Sequence, residues 1–138
     1  MNTSAQNQEI PLKVMIIDDD EFQVEFVSDL LNELGVDDII TANGGKNGLA
    51  TFDKAQRKPD LLICDIQMPD IDGFEFMKAM GERKYYGGVI LRSGQGARVL
   101  YSASLVAQLS RQNFLGTIEK PVQKEALASA IKQLLQAT

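Results

Sequence analysis

A chain of 138 residues is long enough for one domain, and its formal charge of −5 argues against direct nucleic-acid contact, which needs clustered Lys and Arg. One cysteine and no histidine exclude an internal disulfide, Ser-His-Asp triads, Cys-His dyads, most zinc sites and a phosphohistidine carried by the chain itself. No apolar run approaches the ~20 residues of a membrane span and the N-terminus lacks a signal-peptide layout, so the expected location is cytoplasmic.

Residues 1–11 are polar and aperiodic, a flexible lead-in to one domain over 12–138. Val14–Ile17 is a short continuous apolar run, the pattern of a strand covered on both faces. Phe22, Phe26, Val27, Leu30, Leu31 and Leu34 follow at helical spacing, and Gly35 closes that helix. Asp38–Ala42 reads as a second strand and Lys46–Gln56 as a second helix. Leu61–Cys64 is a further apolar run ending at Asp65, and a short helix starts at about Gly73. Gly87–Arg92 is the fourth strand, 98–112 the fourth helix, Phe114–Ile118 the fifth strand, and Gln123–Gln136 the last helix, striped by Leu127, Ile131, Leu134 and Leu135. Five strand–helix pairs imply an α/β fold, a five-stranded parallel sheet doubly wound by five helices. In such sheets ligands bind beyond the carboxyl ends of the strands, so the polar residues there should form one site.

Those residues are Asp18, Asp19 and Asp20 after strand one, Asp65 after strand three, Ser93 after strand four and Lys120 after strand five. Carboxylates with a hydroxyl and an ammonium make a poor acid–base site without histidine, but a good site for a hard cation such as Mg²⁺ with a phosphate. A lysine and a hydroxyl could then hold phosphoryl oxygens, and an aspartate could be the nucleophile. The three adjacent aspartates divide by role. Asp20 opens Asp20-Glu21-Phe22-Gln23, which has capping-box spacing, whereas Asp18 and Asp19 have no such local use. Asp72, with Glu75 three residues on, is also read as a cap, and Cys64 as an inert core residue.

The segments VMIIDDDE, LLICDIQMPDIDG, VILRSG and IEKP resemble, in order and register, the response-regulator receiver domain of two-component phosphorelay signalling, over roughly residues 12–137. The resemblance implies a flavodoxin-like receiver fold. It implies that Asp65 accepts a phosphoryl group from a sensor histidine kinase or phosphotransfer protein, with Ser93 and Lys120 gripping the phosphoryl oxygens. It implies Mg²⁺ held by Asp19, Asp65 and the backbone carbonyl of Gln67, with Asp18 acting largely through water, and a cis Lys120–Pro121 bond. The domain would be a signalling phosphoprotein rather than an enzyme. It would signal through the face formed by helix four, strand five and helix five, where a homodimer would also form.

Thr117 stands where the family usually carries an aromatic switch residue. Gln67 and Gln95, each two positions beyond a site residue, could reach water near a phosphoaspartate and so influence its lifetime. The text from Ser93 to Lys120, with Arg98-Val99-Leu100, Ser102-Ala103 and Leu115-Gly116, resembles receivers fused to EAL-type cyclic-di-GMP phosphodiesterases, which implies an output domain beyond residue 138; a freestanding receiver is the alternative. Two rival readings fit parts of this polar set. A haloacid-dehalogenase-type phosphatase would use Asp18 and Asp20, but needs an acidic motif after the lysine, where only Glu125 occurs. A pseudo-receiver acting only as a binding module fits poorly with a complete polar set.

Overall fold

The computed structural model describes residues 10–94 and 103–136. Five strands, β1 (Lys13–Ile17), β2 (Asp38–Ala42), β3 (Leu61–Asp65), β4 (Gly88–Ser93) and β5 (Asn113–Glu119), form one parallel sheet in the order β2-β1-β3-β4-β5. Helices α1 (Glu21–Glu33), α2 (Gly45–Lys54), α3 (Gly73–Glu82), α4 (Ala103–Leu109) and α5 (Lys124–Gln136) alternate with the strands. The expected α/β architecture is therefore present.

Side-chain alternation along each strand divides the core into two layers. Met15, Ile17, Leu62, Cys64, Val89 and Leu91 face Phe52, Phe76, Met80, Leu105 and Leu109 of α2, α3 and α4. Val14, Ile16, Leu61, Ile63 and Ile90 face Val27 and Leu31 of α1 and Leu127, Ile131 and Leu134 of α5. With helices on both faces, the central strands read as unbroken apolar runs. Truncating a residue such as Ile63 to alanine would cost about 2–5 kcal/mol through lost contacts and a cavity.

The helix ends follow their sequence signals with informative exceptions. The Asp72 carboxylate caps α3 by accepting from the Glu75 N–H at 2.8 Å. Gly35 leaves α1 at φ +95°, a conformation disfavoured for residues with a Cβ, as its capping role requires. Asp20 caps α1 by accepting from the Phe22 N–H at 3.0 Å, but only half of the expected capping box forms. Gln23 does not answer: its Oε1 is buried without a partner among the described residues, and the Asp20 N–H goes instead to Asp18 Oδ1 at 2.9 Å. The α1 stripe also shifts. Phe22 is 71% exposed, while Val24 packs against the core in its place. In α5, Leu135 is similarly exposed and Ala130 takes an inward position.

Boundaries move where backbone geometry decides them. α2 ends at Lys54 because Ala55 turns extended, ahead of Lys58-Pro59. β5 gains a residue at each end and carries an irregular register opposite Val89 and Ile90, where Gly116 adopts φ +122°. Of the segment expected as the fourth helix, Ala103–Leu109 is helical, 110–112 turns, and 98–102 lie outside the described residues. Residues 1–9 of the expected lead-in also lie outside them; Ile10 donates its N–H to the Gly35 carbonyl at 2.8 Å and packs against the α1/α5 layer.

Candidate functional site

Strand order determines where the polar residues meet. The chain leaves β1 toward β2 on one side and leaves β3 toward β4 on the other, so a crevice opens beyond the ends of β1 and β3. Ile17 is in register with Cys64, which sets Asp18 beside Asp65. Asp65 is in register with Arg92, and Arg92 with Ile118, two residues before Lys120. Because paired residues of neighbouring strands point to the same side of the sheet, Asp18, Asp65, Arg92 and Lys120 converge on the α1/α5 side of the crevice.

The contacts bear out this geometry. Lys120 Nζ donates to Asp65 Oδ2 at 3.1 Å and lies 3.7 Å from Asp18 Oδ2. Asp65 Oδ1 accepts the Gln67 N–H at 3.0 Å. One carboxylate oxygen from each of Asp18, Asp19 and Asp65 lies within 4.8 Å of the other two. Asp18 and Asp65 are buried and Asp19 is exposed, so the cluster has two fixed walls and one side open to solvent. Ser93, also buried, ends β4, and its carbonyl accepts the Lys120 N–H at 2.8 Å. The Lys120–Pro121 peptide is cis, as the resemblance implied.

An all-oxygen donor set of this kind fits a hard divalent cation such as Mg²⁺. The electrostatics are strongly coupled. Burial pushes the Asp18 carboxyl above its ordinary value of 3.8, opposed by the Asp20 N–H and the charge of Arg92. The neighbouring Asp65 charge adds to the rise and Lys120 opposes it. Cys64 takes no part: it is buried, its Sγ donates to the Asp65 carbonyl at 3.4 Å, and burial, then Asp65 and Asp18, push its thiol far above the usual range.

The sequence profile of the family described as "Response regulator receiver domain" matches residues 14–132. This chain belongs to that family. The receiver is 30% identical over 128 residues to the probable chemotaxis protein CheY of Rhizobium etli, covering 91% of this chain and 94% of that protein. It is 28% identical over 128 residues to the 3',5'-cyclic-nucleotide phosphodiesterase regA of Dictyostelium discoideum, covering 91% of this chain but 16% of that protein. It likewise spans 28% of the transcriptional regulatory protein TrcR of Mycobacterium tuberculosis. Among solved structures, a response regulator receiver domain protein from Clostridium thermocellum superposes with TM-score 0.73 at 22% identity, covering 91% of this chain and 95% of that one. That likeness is one of fold.

The receiver thus brings Asp18, Asp19, Asp65, Ser93 and Lys120 to one end of the sheet, with the Gln67 backbone against Asp65. Gln95 lies outside the described residues. Sequence reasoning gave no role to Arg92, which is 1% exposed and whose Nη2 donates to Asp18 Oδ2. The signal was present: a charged residue closing an apolar run in a strand read as central must find a buried partner. The sequence did not say which carboxylate that would be.

Proposed function

We propose that Asp65 is the phosphoacceptor of a Mg²⁺-dependent phosphorelay, taking its phosphoryl group from a histidine kinase or phosphotransfer protein. The observation that carries this is Lys120 Nζ at 3.1 Å from Asp65 Oδ2, with Asp18 and Asp19 alongside. In this reading an Asp65 oxygen attacks the phosphorus of the donor's phosphohistidine. A P–O bond forms, the P–N bond breaks, and the imidazole nitrogen leaves with the electron pair. Lys120 transfers its hydrogen bond from the Asp65 carboxylate to a phosphoryl oxygen, and the Ser93 hydroxyl donates to another. Asp18, Asp19, Asp65 and the Gln67 carbonyl would hold the cation, which supplies neutralising charge while phosphate approaches carboxylates.

Signalling would run through α4, β5 and α5. Ser93 and Lys120 sit at the ends of the strands on either side of α4. Val106 and Thr117 offer exposed positions on that face for a partner or a second copy. Such chemistry suits the cytoplasm, where phosphodonors and Mg²⁺ are available. No described helix is long and apolar enough to cross a membrane. The proposed output is a phosphodiesterase of the EAL cyclic-di-GMP type, implied by the 93–120 segment; regA, a 3',5'-cyclic-nucleotide phosphodiesterase, is one relative that contains a segment matching this chain. The reading frame beyond residue 138 tests that output.

The central experiment is incubation with acetyl phosphate and Mg²⁺, followed by intact-mass analysis. One acid-stable, base-labile phosphoryl adduct should form, and should disappear in Asp65→Asn or in EDTA. An adduct on Asp18 would favour the phosphatase reading, and none under any condition would favour the pseudo-receiver.

A further inference from the structure

We propose that Arg92 is a resident counter-cation of the acidic pocket, a positioning residue that competes with a divalent cation for Asp18 and so limits how tightly the pocket takes one. The inference rests on the cation-site reading above and adds a determinant of affinity to it.

Arg92 sits in β4 between β3 and β5, in register with Asp65, and is 1% exposed. A guanidinium there carries the desolvation cost of a full charge and cannot shed it, because arginine does not deprotonate in proteins. Its Nη2 donates to Asp18 Oδ2, while its Nε and Nη1 are buried with no acceptor among the described residues. Here Asp18 is the partner that holds it.

The consequence falls on the cation site. Asp18 Oδ1 accepts the Asp20 N–H and Asp18 Oδ2 accepts from Arg92, so both oxygens carry a donor before any ion approaches. Three carboxylates face two cations, Lys120 and Arg92, which leaves the cluster a single negative charge. Removing Arg92 would double that charge and leave Oδ2 only the Lys120 ammonium, at 3.7 Å. An incoming divalent ion must therefore share Asp18 with a fixed positive charge or displace it.

The test is Mn²⁺ affinity by electron paramagnetic resonance on the whole chain, in wild type, Arg92→Met and Arg92→Lys. Arg92→Met should bind Mn²⁺ on the order of tenfold more tightly, and Arg92→Lys, which keeps the charge, within about threefold of wild type. Equal or weaker binding by Arg92→Met overturns the proposal. Should that variant not fold, wild type labelled with ¹⁵N serves, titrated with Mg²⁺. The Arg92 Nε resonance should shift with the same midpoint as the Asp19 and Gln67 backbone amides. Amides that move while Arg92 stays still overturn the role of Arg92 alone. Amides and Arg92 both unmoved overturn the cation-site reading along with it.

Discussion

Lys120 and Asp65 are 55 residues apart in the chain, yet the Lys120 ammonium donates to Asp65 Oδ2 at 3.1 Å. The contact spans β3 and β5 with β4 between them, so it exists only when the sheet closes in this order. It neutralises part of the charge on the proposed acceptor and would pass to the phosphoryl group as that arrives. Lys120→Met should therefore slow phosphorylation of Asp65 by acetyl phosphate by about 10²-fold, the usual effect of removing one donor from a developing anion. Mn²⁺ binding should not weaken, since a competing positive charge has gone. Time-resolved intact-mass analysis and a metal titration read the two effects separately.

The adjacent aspartates should fail in different ways. Asp19→Ala should abolish Mg²⁺-dependent phosphorylation with little loss of stability, because Asp19 is exposed and contributes an oxygen to the cluster. Asp20→Ala should cost about 1 kcal/mol in urea denaturation, the value of its bond to the Phe22 N–H, and leave phosphorylation largely intact. Equal losses of phosphorylation in the two variants would contradict this division.

Asp70 ties the loop after β3 to the start of α2. Its carboxylate accepts the Gly45 N–H at 3.2 Å and the Lys46 N–H at 3.0 Å, and Gly44 passes it at φ +148°. The hydrogen bond from Lys46 is the largest cause holding the Asp70 carboxyl below its ordinary value of 3.8, with the Gly45 bond also lowering it. A depressed folded-state value means the stabilisation is complete above the unfolded value and lost as pH falls through the folded one. Asp70→Asn should thus be less stable than wild type at neutral pH, by a margin that solvent screening of this exposed carboxylate keeps small, and the difference should shrink progressively as pH falls below 3.8. Paired urea titrations across that range measure it.

Tyr85 tests the far end of the molecule. Its buried hydroxyl donates to the Gly88 carbonyl at 2.9 Å, and burial pushes its own titration well above the usual range for tyrosine. Tyr85→Phe should cost about 1 kcal/mol and leave phosphorylation unchanged, since the bond lies at the opposite end of β4 from Ser93.

Gln67 donates its backbone N–H to Asp65, and its side chain is exposed beside the crevice. Gln67→Ala should lengthen the phosphoaspartate lifetime a few-fold by removing an amide able to orient attacking water. Decay of the phosphorylated mass after removal of acetyl phosphate checks this, and an unchanged half-life would remove Gln67 from the reaction.

Local sequence determined most of the frame. Apolar runs of four residues mark β1 and β3, and helical spacing marks α1 and α5, because period and side-chain chemistry act between near neighbours. The Asp72 cap and the break at Gly35 were legible for the same reason. So was the set of polar residues at the strand ends, since a parallel sheet brings its carboxyl ends together. Only tertiary structure decided that Arg92 would reach Asp18, 74 residues away, because that pairing depends on strand order and register. It also diverted the Asp20 N–H from Gln23 to Asp18 and left Phe22 in solvent. A local pattern states which groups a residue could satisfy. The folded sheet, by bringing distant donors and charges within bonding distance, selects among them.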